Sequence, residues 1–154
     1  MLNVRMATRE DDETVCKFAE ELFSELGHTL PLDGKQSVLY CKAILESGEY
    51  VVFLSLGPHG RANGIITLSE GISIYAGGKF GVIREFFVLP EERSTGVGKA
   101  LLEKAKEFGK GKGWKRIEVT PPGKVKWPRT YNFYMQSGFK EIGPGLKLED
   151  LKEP

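Results

Sequence analysis

The sequence of 154 residues lacks an excess of charge of either sign. Lysine and arginine together number 22, and aspartate and glutamate number 21, so the formal net charge is +1 at neutral pH. Proteins that bind nucleic acid through their overall charge carry a marked basic surplus. We therefore expect no nucleic-acid partner.

Long apolar runs are also missing. No stretch approaches the roughly 20 apolar residues needed to cross a bilayer, and the N-terminal MLNVRMATREDD lacks the apolar block of a secretory signal. We therefore expect no membrane partner and a cytoplasmic location.

Cysteine is scarce as well. Cys16 and Cys41 both fall in helical patterns, with no CxxC motif and no neighbouring histidine. This spacing disfavours a disulfide and a metal site. We expect buried free thiols and no bound metal.

What is present is the composition of one globular domain covering residues 1–154, with 40% hydrophobic residues. The alternation in NVRMAT predicts a first strand. A capping box from Thr8 to Asp11 precedes the first helical pattern, and Asp33 and Gly48 bound a second. Strand patterns follow in YVVFLSL, GIITLS, GISIY and FGVIREFFVLP, then in WKRIEVT, FKEIG and LKLED. The order β-α-α-β-β-β-α-β-α-β-β predicts an α/β (α+β) fold with helices on both faces of a mixed sheet.

The segment RSTGVG, residues 93–98, stands between a strand pattern and a helix pattern. The dinucleotide fingerprint would need a glycine where Leu101 stands, and the Walker loop would need one at Arg93 and Ser or Thr at Ala100. Free N–H groups at a helix start, beside Gly96 and Gly98, can still hold a phosphate. The alternative is a plain strand-to-helix turn.

Two motifs resolve this choice. EFFVLPEERSTGVGKALLEKAKEFGKGKGW resembles the acetyl-coenzyme A-binding segment of the GNAT superfamily of N-acetyltransferases, with its Val-x-Pro stretch and R/Q-x-x-G-x-G/A loop. NFYMQSGF resembles the later F/L-Y-x-x-x-G-F segment of that family. The resemblance covers nearly the whole chain, although Trp127 and Thr130 replace an asparagine and an alanine common in the family.

The resemblance implies a mixed, mostly antiparallel sheet of about seven strands, flanked by about four helices and splayed at its central strands. It implies acetyl-CoA as acetyl donor, no metal, and possible homodimerisation. The implied coenzyme A contacts are the main chain of Phe87 and Val88 for the pantetheine arm, and Arg93, Ser94, Thr95, Gly96, Val97, Gly98 and Lys99 around the pyrophosphate.

The resemblance also assigns catalytic groups. Tyr134 is the candidate acid for the departing thiolate, and a phenol is protonated at neutral pH without any tuning. The amide of Val88 is the implied donor to the oxyanion. Alternatively, Tyr134 is a core aromatic between Phe133 and Met135.

Glu85 is the candidate general base, because it lies three residues before Val88 in an otherwise apolar strand. Burial there would raise its pKa and make it a better base. Alternatively, Glu85 pairs with Arg84, Arg5 or Lys79, or it orients a water that carries the proton.

The expected reaction is direct acetyl transfer to a primary amine of a small molecule in a ternary complex. The alternatives are a protein or peptide N-acetyltransferase and a non-catalytic module that binds acyl-CoA. His28 on one side, and Trp127, Arg129 and Tyr131 on the other, are candidate neighbours of the acceptor. His59 is expected to be an exposed turn residue.

Overall fold

The computed structural model describes residues 3–28, 33–149 and 151. These residues form five strands: β1 (Asn3–Met6), β2 (Tyr50–Leu56), β3 (Ala62–Ser73), β4 (Gly78–Val88) and β5 (Ile117–Val119). They also form four helices: α1 (Asp12–Glu25), α2 (Gly34–Ser47), α3 (Val97–Lys112) and α4 (Pro128–Gln136).

The sheet has the order β1-β2-β3-β4-β5. Neighbouring strands run antiparallel except for β4 and β5, which are parallel. The predicted mixed, mostly antiparallel sheet and the four helices are therefore confirmed. The chain divides into two compact units: residues 1–119, which hold the sheet and α1 to α3, and residues 120–154, which hold α4.

The strand count is lower than the seven expected. GIITLS and residues 71–73 of GISIY lie in the one long strand β3, with Ile74 and Tyr75 in the following turn, and FKEIG and LKLED form no strand within the described part of the chain. Their alternation is real, but Leu146 and Leu148 are exposed and have no apolar surface to cover. Gly143, with φ of 112°, also interrupts the extended backbone between the two segments. Asp150, the last residue of LKLED, lies outside the described residues.

The predicted helix signals for α1 and α2 are confirmed. The amide of Thr8 donates to Asp11 Oδ2 at 2.8 Å, completing a capping box at a 3-10 turn just before α1. Asp33 Oδ1 accepts from the amide of Gln36 at 3.1 Å at the start of α2, which ends at the left-handed Gly48.

The sheet is covered on both faces, as predicted. One face carries Val52, Leu54, Ile65 and Phe87, which form a buried cluster with Val15 and Phe18 of α1. The alternate residue Phe53 lies on the other face, where its ring contacts Phe108 of α3 with centroids 5.7 Å apart. The two faces of the sheet are therefore different surfaces: one packs against α1 and α2, and the other packs against α3.

The expected splay of the central strands is also present. β5 pairs with β4 only from Gly81 to Ile83, whereas β4 continues for five residues to Val88. Within the described residues, β3 is the one strand that pairs with this second half of β4.

Both cysteines are free thiols. Cys16 on α1 is buried and Cys41 on α2 is half-buried. In the described ranges, no helix combines the length and the apolar character needed to cross a membrane.

Candidate active site

A β-bulge in β4 determines which way Glu85 points. Thr67 of β3 is opposite Glu85, and the next residue, Leu68, is opposite Ile83, so Arg84 has no counterpart. Directly opposed residues share a face, and consecutive residues of β3 alternate faces. Ile83 therefore faces α3, and Glu85, two positions on, faces α1 and α2.

The Glu85 carboxylate has a close partner on the neighbouring strand. Thr67 Oγ1 donates to Glu85 Oε1 at 2.5 Å, and the amide of Glu85 donates back to Thr67 Oγ1 at 2.8 Å. Side chain and backbone of Glu85 are thus both fixed by one hydroxyl group at the bulge.

The environment of Glu85 raises the pKa of its carboxyl group. Burial raises the pKa of the Glu85 carboxyl, because water no longer solvates the charged form fully. Thr67, Tyr50 and Arg84 act in the opposite direction and lower the pKa, but burial is the larger effect. The raised pKa expected from sequence is therefore present in the structure.

Salt-bridge partners proposed for Glu85 from the sequence are engaged elsewhere. Arg5 binds Asp11 at 2.9 Å, and Lys79 lies 3.9 Å from Glu70. The third candidate, Arg84, donates from Nε to Ser69 Oγ at 2.8 Å.

The loop between β4 and α3 presents its backbone to solvent. Ser94 and Gly96 both have positive φ, 65° and 95°, and residues 94–96 are exposed. Gly96 is the residue before the first turn of α3, and it carries no side chain that could cap the free N–H groups there. A Cβ at Gly96 would be strained and would crowd this cradle. The loop therefore fits an anionic group such as a pyrophosphate.

The side chains that follow the loop point in different directions. Val97 is fully buried, and its methyl group lies against Gly64 of β3. Lys99 is exposed. Val97 can therefore offer a ligand only its backbone amide, whereas the Lys99 ammonium group is available to an anion.

The main chain of Val88 is turned toward the splay. The amide of Leu89 donates to the carbonyl of Asn63 at 3.0 Å, so Leu89 faces β3. Because backbone groups alternate sides along an antiparallel strand, the N–H and C=O of Val88 point away from β3. They point to the edge of β4 along which β5 is no longer paired with it.

Arg93 binds the protein itself in this structure. Its Nε donates to the Val88 carbonyl at 2.9 Å, and its two terminal nitrogens bind the Glu25 carboxylate at 2.8 and 2.7 Å. The guanidinium carbon also lies 5.3 Å from the centre of the Phe87 ring. The Arg93 side chain thus joins the end of α1 to the end of β4.

Tyr134 belongs to the second unit. It lies on α4, is buried, and makes edge-to-face contacts with the rings of Phe133 and Phe139, with centroids 5.7 and 5.3 Å apart. Burial raises the pKa of the Tyr134 hydroxyl above its ordinary value. Tyr134 therefore remains a protonated phenol at neutral pH.

The histidines and the residues predicted to lie near the acceptor amine are found in both units. His28 is exposed after α1, and His59 is exposed in the 3-10 turn Pro58–Gly60, as expected. In the second unit, Trp127 precedes α4 and Tyr131 donates a hydrogen bond to Glu141. Among the described residues, no group of three or more His, Cys, Asp or Glu side chains could hold a metal ion.

An open groove of about 880 Å³ lies in the first unit between α1 and the ends of β3 and β4. Phe18 and Phe87 give it an apolar side. Carboxylates outnumber cations around it, with Glu20, Glu21, Glu25 and Glu91 set against Lys17 and Arg61.

Sequence reasoning did not identify three residues of this region: Thr67, Tyr50 and Glu25. A lone threonine inside the apolar run GIITL was the available signal for Thr67. Glu25 is 68 positions from Arg93, and no local pattern links the two.

Comparison with known proteins places this geometry in a family. The sequence profile described as "Acetyltransferase (GNAT) family" matches residues 6–139. The sequence has no significant match among curated proteins.

Solved structures share the fold over almost the entire chain. An integron cassette protein from the mobile metagenome of Cole Harbour Salt Marsh is 27% identical, with a TM-score of 0.79 and coverage of 98% of this chain and 91% of the other. A predicted acetyltransferase from Clostridium acetobutylicum, solved with acetyl-CoA, is 16% identical, with a TM-score of 0.79 and coverage of 97% and 96%. An aminoglycoside acetyltransferase from an uncultured soil metagenomic sample is 20% identical, with a TM-score of 0.77 and coverage of 97% and 98%.

The profile match spans most of the chain, and the glycine loop, the splayed strands and the sheet order agree with it. This protein is a member of the GNAT family of acetyltransferases.

Proposed function

We propose that this protein is a single N-acetyltransferase domain, residues 1–154, that transfers an acetyl group from acetyl-CoA to a primary amine of a small molecule. Transfer occurs by direct attack within a ternary complex. The observation that carries this proposal is the position of Glu85, a half-buried carboxylate of raised pKa, three residues before the point where the Val88 amide faces the splay.

Acetyl-CoA supplies an acetyl group activated as a thioester. The backbone amides of residues 93–98 bind its pyrophosphate, and Lys99 contributes positive charge. The edge of β4 at Phe87 and Val88 lies along the pantetheine arm, and the N–H of Val88, which points away from β3, stabilises the developing negative charge on the acetyl oxygen. Support for these roles comes from the exposed loop, the uncapped start of α3 and the outward direction of Val88.

Glu85 accepts the proton of the acceptor amine, directly or through one water. A general base is most effective when its pKa lies near the working pH. The burial that raises the Glu85 pKa therefore improves the carboxylate as a base, provided the pH keeps it ionised.

Tyr134 donates a proton to the thiolate as it leaves. Its raised pKa supports this role, because the donor must be protonated when the carbon–sulfur bond breaks.

Support for a small-molecule acceptor comes from the groove beside Phe87, whose surplus of carboxylates suits a cationic amine. The likeness to an aminoglycoside acetyltransferase agrees with this class but, at 20% identity, extends only to the fold. The alternatives are acetylation of a protein or peptide amine, and binding of acyl-CoA without turnover.

The free thiols of Cys16 and Cys41 support the cytoplasm as the working compartment, since disulfides are disfavoured there. A homodimer is the assembly we propose, and sedimentation equilibrium of the purified protein would measure it.

The decisive experiment measures release of coenzyme A thiol from acetyl-CoA with a panel of amines: kanamycin, spermidine, an amino acid amide and an alanine-starting peptide. We expect turnover with at least one small amine. Calorimetric titration with acetyl-CoA separates the alternatives: binding without turnover on any amine would favour the acyl-CoA-binding module, and no binding would refute the proposal. Turnover on the peptide alone would favour the protein N-acetyltransferase.

A further inference from the structure

The hydrogen-bond direction at Thr67 can be assigned from its partners. A hydroxyl has one hydrogen to donate. Thr67 Oγ1 accepts the amide hydrogen of Glu85 at 2.8 Å, so its own hydrogen is available for Glu85 Oε1 at 2.5 Å. The Thr67 hydroxyl thus donates to the ionised carboxylate of Glu85. At the bulge it also accepts from the amide of Glu85, in the place of a backbone carbonyl.

A second hydroxyl group acts on the same carboxylate. Tyr50, the first residue of β2, is half-buried, and its hydroxyl interacts with Glu85 and lowers the pKa of that carboxyl. Burial raises the pKa of Tyr50 itself, so it stays a protonated donor at neutral pH. Thr67 and Tyr50 come from two different strands on the face toward α1 and α2, because Val52 pairs with Thr67 and lies two residues after Tyr50.

Few other ionisable groups influence this carboxylate. Arg84, the bulged neighbour on β4, lowers its pKa. On α2, burial and, to a smaller extent, the negative charge of Glu85 raise the pKa of the Cys41 thiol, so this thiol is uncharged at neutral pH. The Thr67 hydroxyl is therefore the hydrogen-bond donor that fixes the orientation of Glu85, and the Tyr50 hydroxyl, on the same face of the sheet, favours the ionised carboxylate.

We propose that Thr67 and Tyr50 are positioning residues that hold the Glu85 carboxylate in one orientation for proton acceptance from the amine. Neither touches the reacting atoms; both act through Glu85. This inference rests on the proposed function of Glu85 as the general base.

The first test measures the Glu85 carboxyl directly and needs no acceptor. The Glu85 signal is followed by carbon-13 NMR over a pH titration of glutamate-labelled protein and is assigned with Glu85→Gln. Thr67→Val removes the hydrogen-bond donor to the ionised form and Tyr50→Phe removes the second hydroxyl group that favours this form, so each raises the pKa of Glu85. Thr67→Ser keeps the hydroxyl group and leaves the pKa as in the wild type.

The second test uses whichever panel amine turns over. Thr67→Val lowers kcat by about tenfold, a part of the roughly 100- to 10,000-fold that a positioned base contributes. The KM for acetyl-CoA stays unchanged, the acid limb of kcat/KM moves to higher pH, and Thr67→Ser restores the wild-type rate. In the Glu85→Gln background, Thr67→Val and Tyr50→Phe cause no further fall in kcat, because the carboxylate through which both residues act is absent.

These outcomes separate the two proposals. A Glu85 pKa unchanged in both Thr67→Val and Tyr50→Phe overturns the positioning role, whatever the activity. A loss of kcat in the Glu85→Gln background equal to that in the wild type overturns it as well. Absence of turnover on every amine, with a raised Glu85 pKa in the variants, refutes the proposed function and leaves the hydrogen bonding of Glu85 established. If Thr67→Val does not fold, Tyr50→Phe, which removes a single oxygen from β2, decides the question.

Discussion

The two halves of β4 have different partners and different chemistry. The first half, up to Ile83, is paired with β3 on one side and β5 on the other, and Trp114 packs on Gly81. The second half, from Glu85 to Val88, is paired with β3 only, and it carries a polar side chain toward α1 and α2.

The comparison shows that a one-residue bulge separates the part of β4 that packs in the sheet from the part that carries the active-site groups. In a regular strand without the bulge at Arg84, Glu85 would lie two residues after Ile83 on the same face, against α3. With it, the apolar first half secures the strand, and the second half presents a carboxylate and outward-facing backbone groups. The first half should therefore govern stability and the second half activity.

The largest expected effect comes from removing the Glu85 charge. Glu85→Gln keeps the shape and removes the base, so kcat should fall by about 100-fold, within the range for general base catalysis. Since only the ionised carboxyl accepts a proton, wild-type kcat/KM should fall as the pH drops through the raised Glu85 pKa. This limb should lie above the ordinary pKa of glutamate, and it should vanish in Glu85→Gln.

A matched control for that variant is Glu49→Gln, which removes an exposed carboxylate next to β2. Its kcat and pH profile should match the wild type. If Glu85→Gln retained full activity, the second half of β4 would not carry the base.

The opposite result is expected in the first half. A Cβ added at Gly81 would come within 2.3 Å of the Trp114 ring, which Glu70 holds by a hydrogen bond. Gly81→Ala should therefore reduce the free energy of unfolding by about 2 kcal/mol, typical of overpacking. This is roughly a 30-fold change in the folding equilibrium constant, and chemical denaturation measures it.

Gly111→Ala is the control for this prediction, because nothing lies within 4 Å of a Cβ at that position in α3. It should raise the stability by about 0.5–1 kcal/mol through helix propensity. Equal effects of the two substitutions would mean that packing on Trp114 does not secure the first half.

A third experiment asks whether the chemistry is confined to β4. Tyr134→Phe should lower kcat by more than about tenfold while the Kd of acetyl-CoA hardly changes, because a proton donor acts in the transition state and not in ground-state binding. Tyr75→Phe, at an exposed position between β3 and β4, is the control. An unchanged kcat in Tyr134→Phe would remove Tyr134 from the mechanism and leave it a core aromatic.

The smallest expected effect is on acetyl-CoA binding, and it concerns Arg93 at the end of the second half of β4. Arg93 donates to the Val88 carbonyl while paired with Glu25. Glu25→Gln weakens that pair and releases positive charge next to the loop, so acetyl-CoA should bind about threefold more tightly, a change below 1 kcal/mol. Calorimetry at low and high salt measures it, since screening should reduce the gain.

For Glu25→Gln the comparison variant is again Glu49→Gln, which alters the net charge equally. Equal tightening in both variants would indicate a general charge effect rather than release of Arg93.

Local patterns predicted much of this fold correctly. The caps at Thr8 and Asp33, the stop at Gly48 and the start of α3 after Gly96 follow from rules that involve only neighbouring residues. The two terminal strands were wrong because alternation in LKLED does not show whether a partner strand or a buried face exists.

The site was predictable in part for the same reason. The family motif pointed to Glu85, and its apolar neighbours indicated the raised pKa that the structure bears out. The donors to Glu85 depend on strand register: a bulge of one residue decides whether Thr67 or Ile66 lies opposite Glu85, and no sequence pattern marks Arg84 as the extra residue.

The buried thiols have a practical consequence. Cys16 is 1% exposed, and the surroundings of Cys41 raise its pKa to about 12, so hardly any thiolate exists on the folded protein near neutral pH. A disulfide reagent that reports coenzyme A release should therefore register the product and not the enzyme. The same reagent, applied without substrate, should label the buried Cys16 only as fast as α1 comes away from the sheet, so the labelling rate of Cys16 would measure that opening.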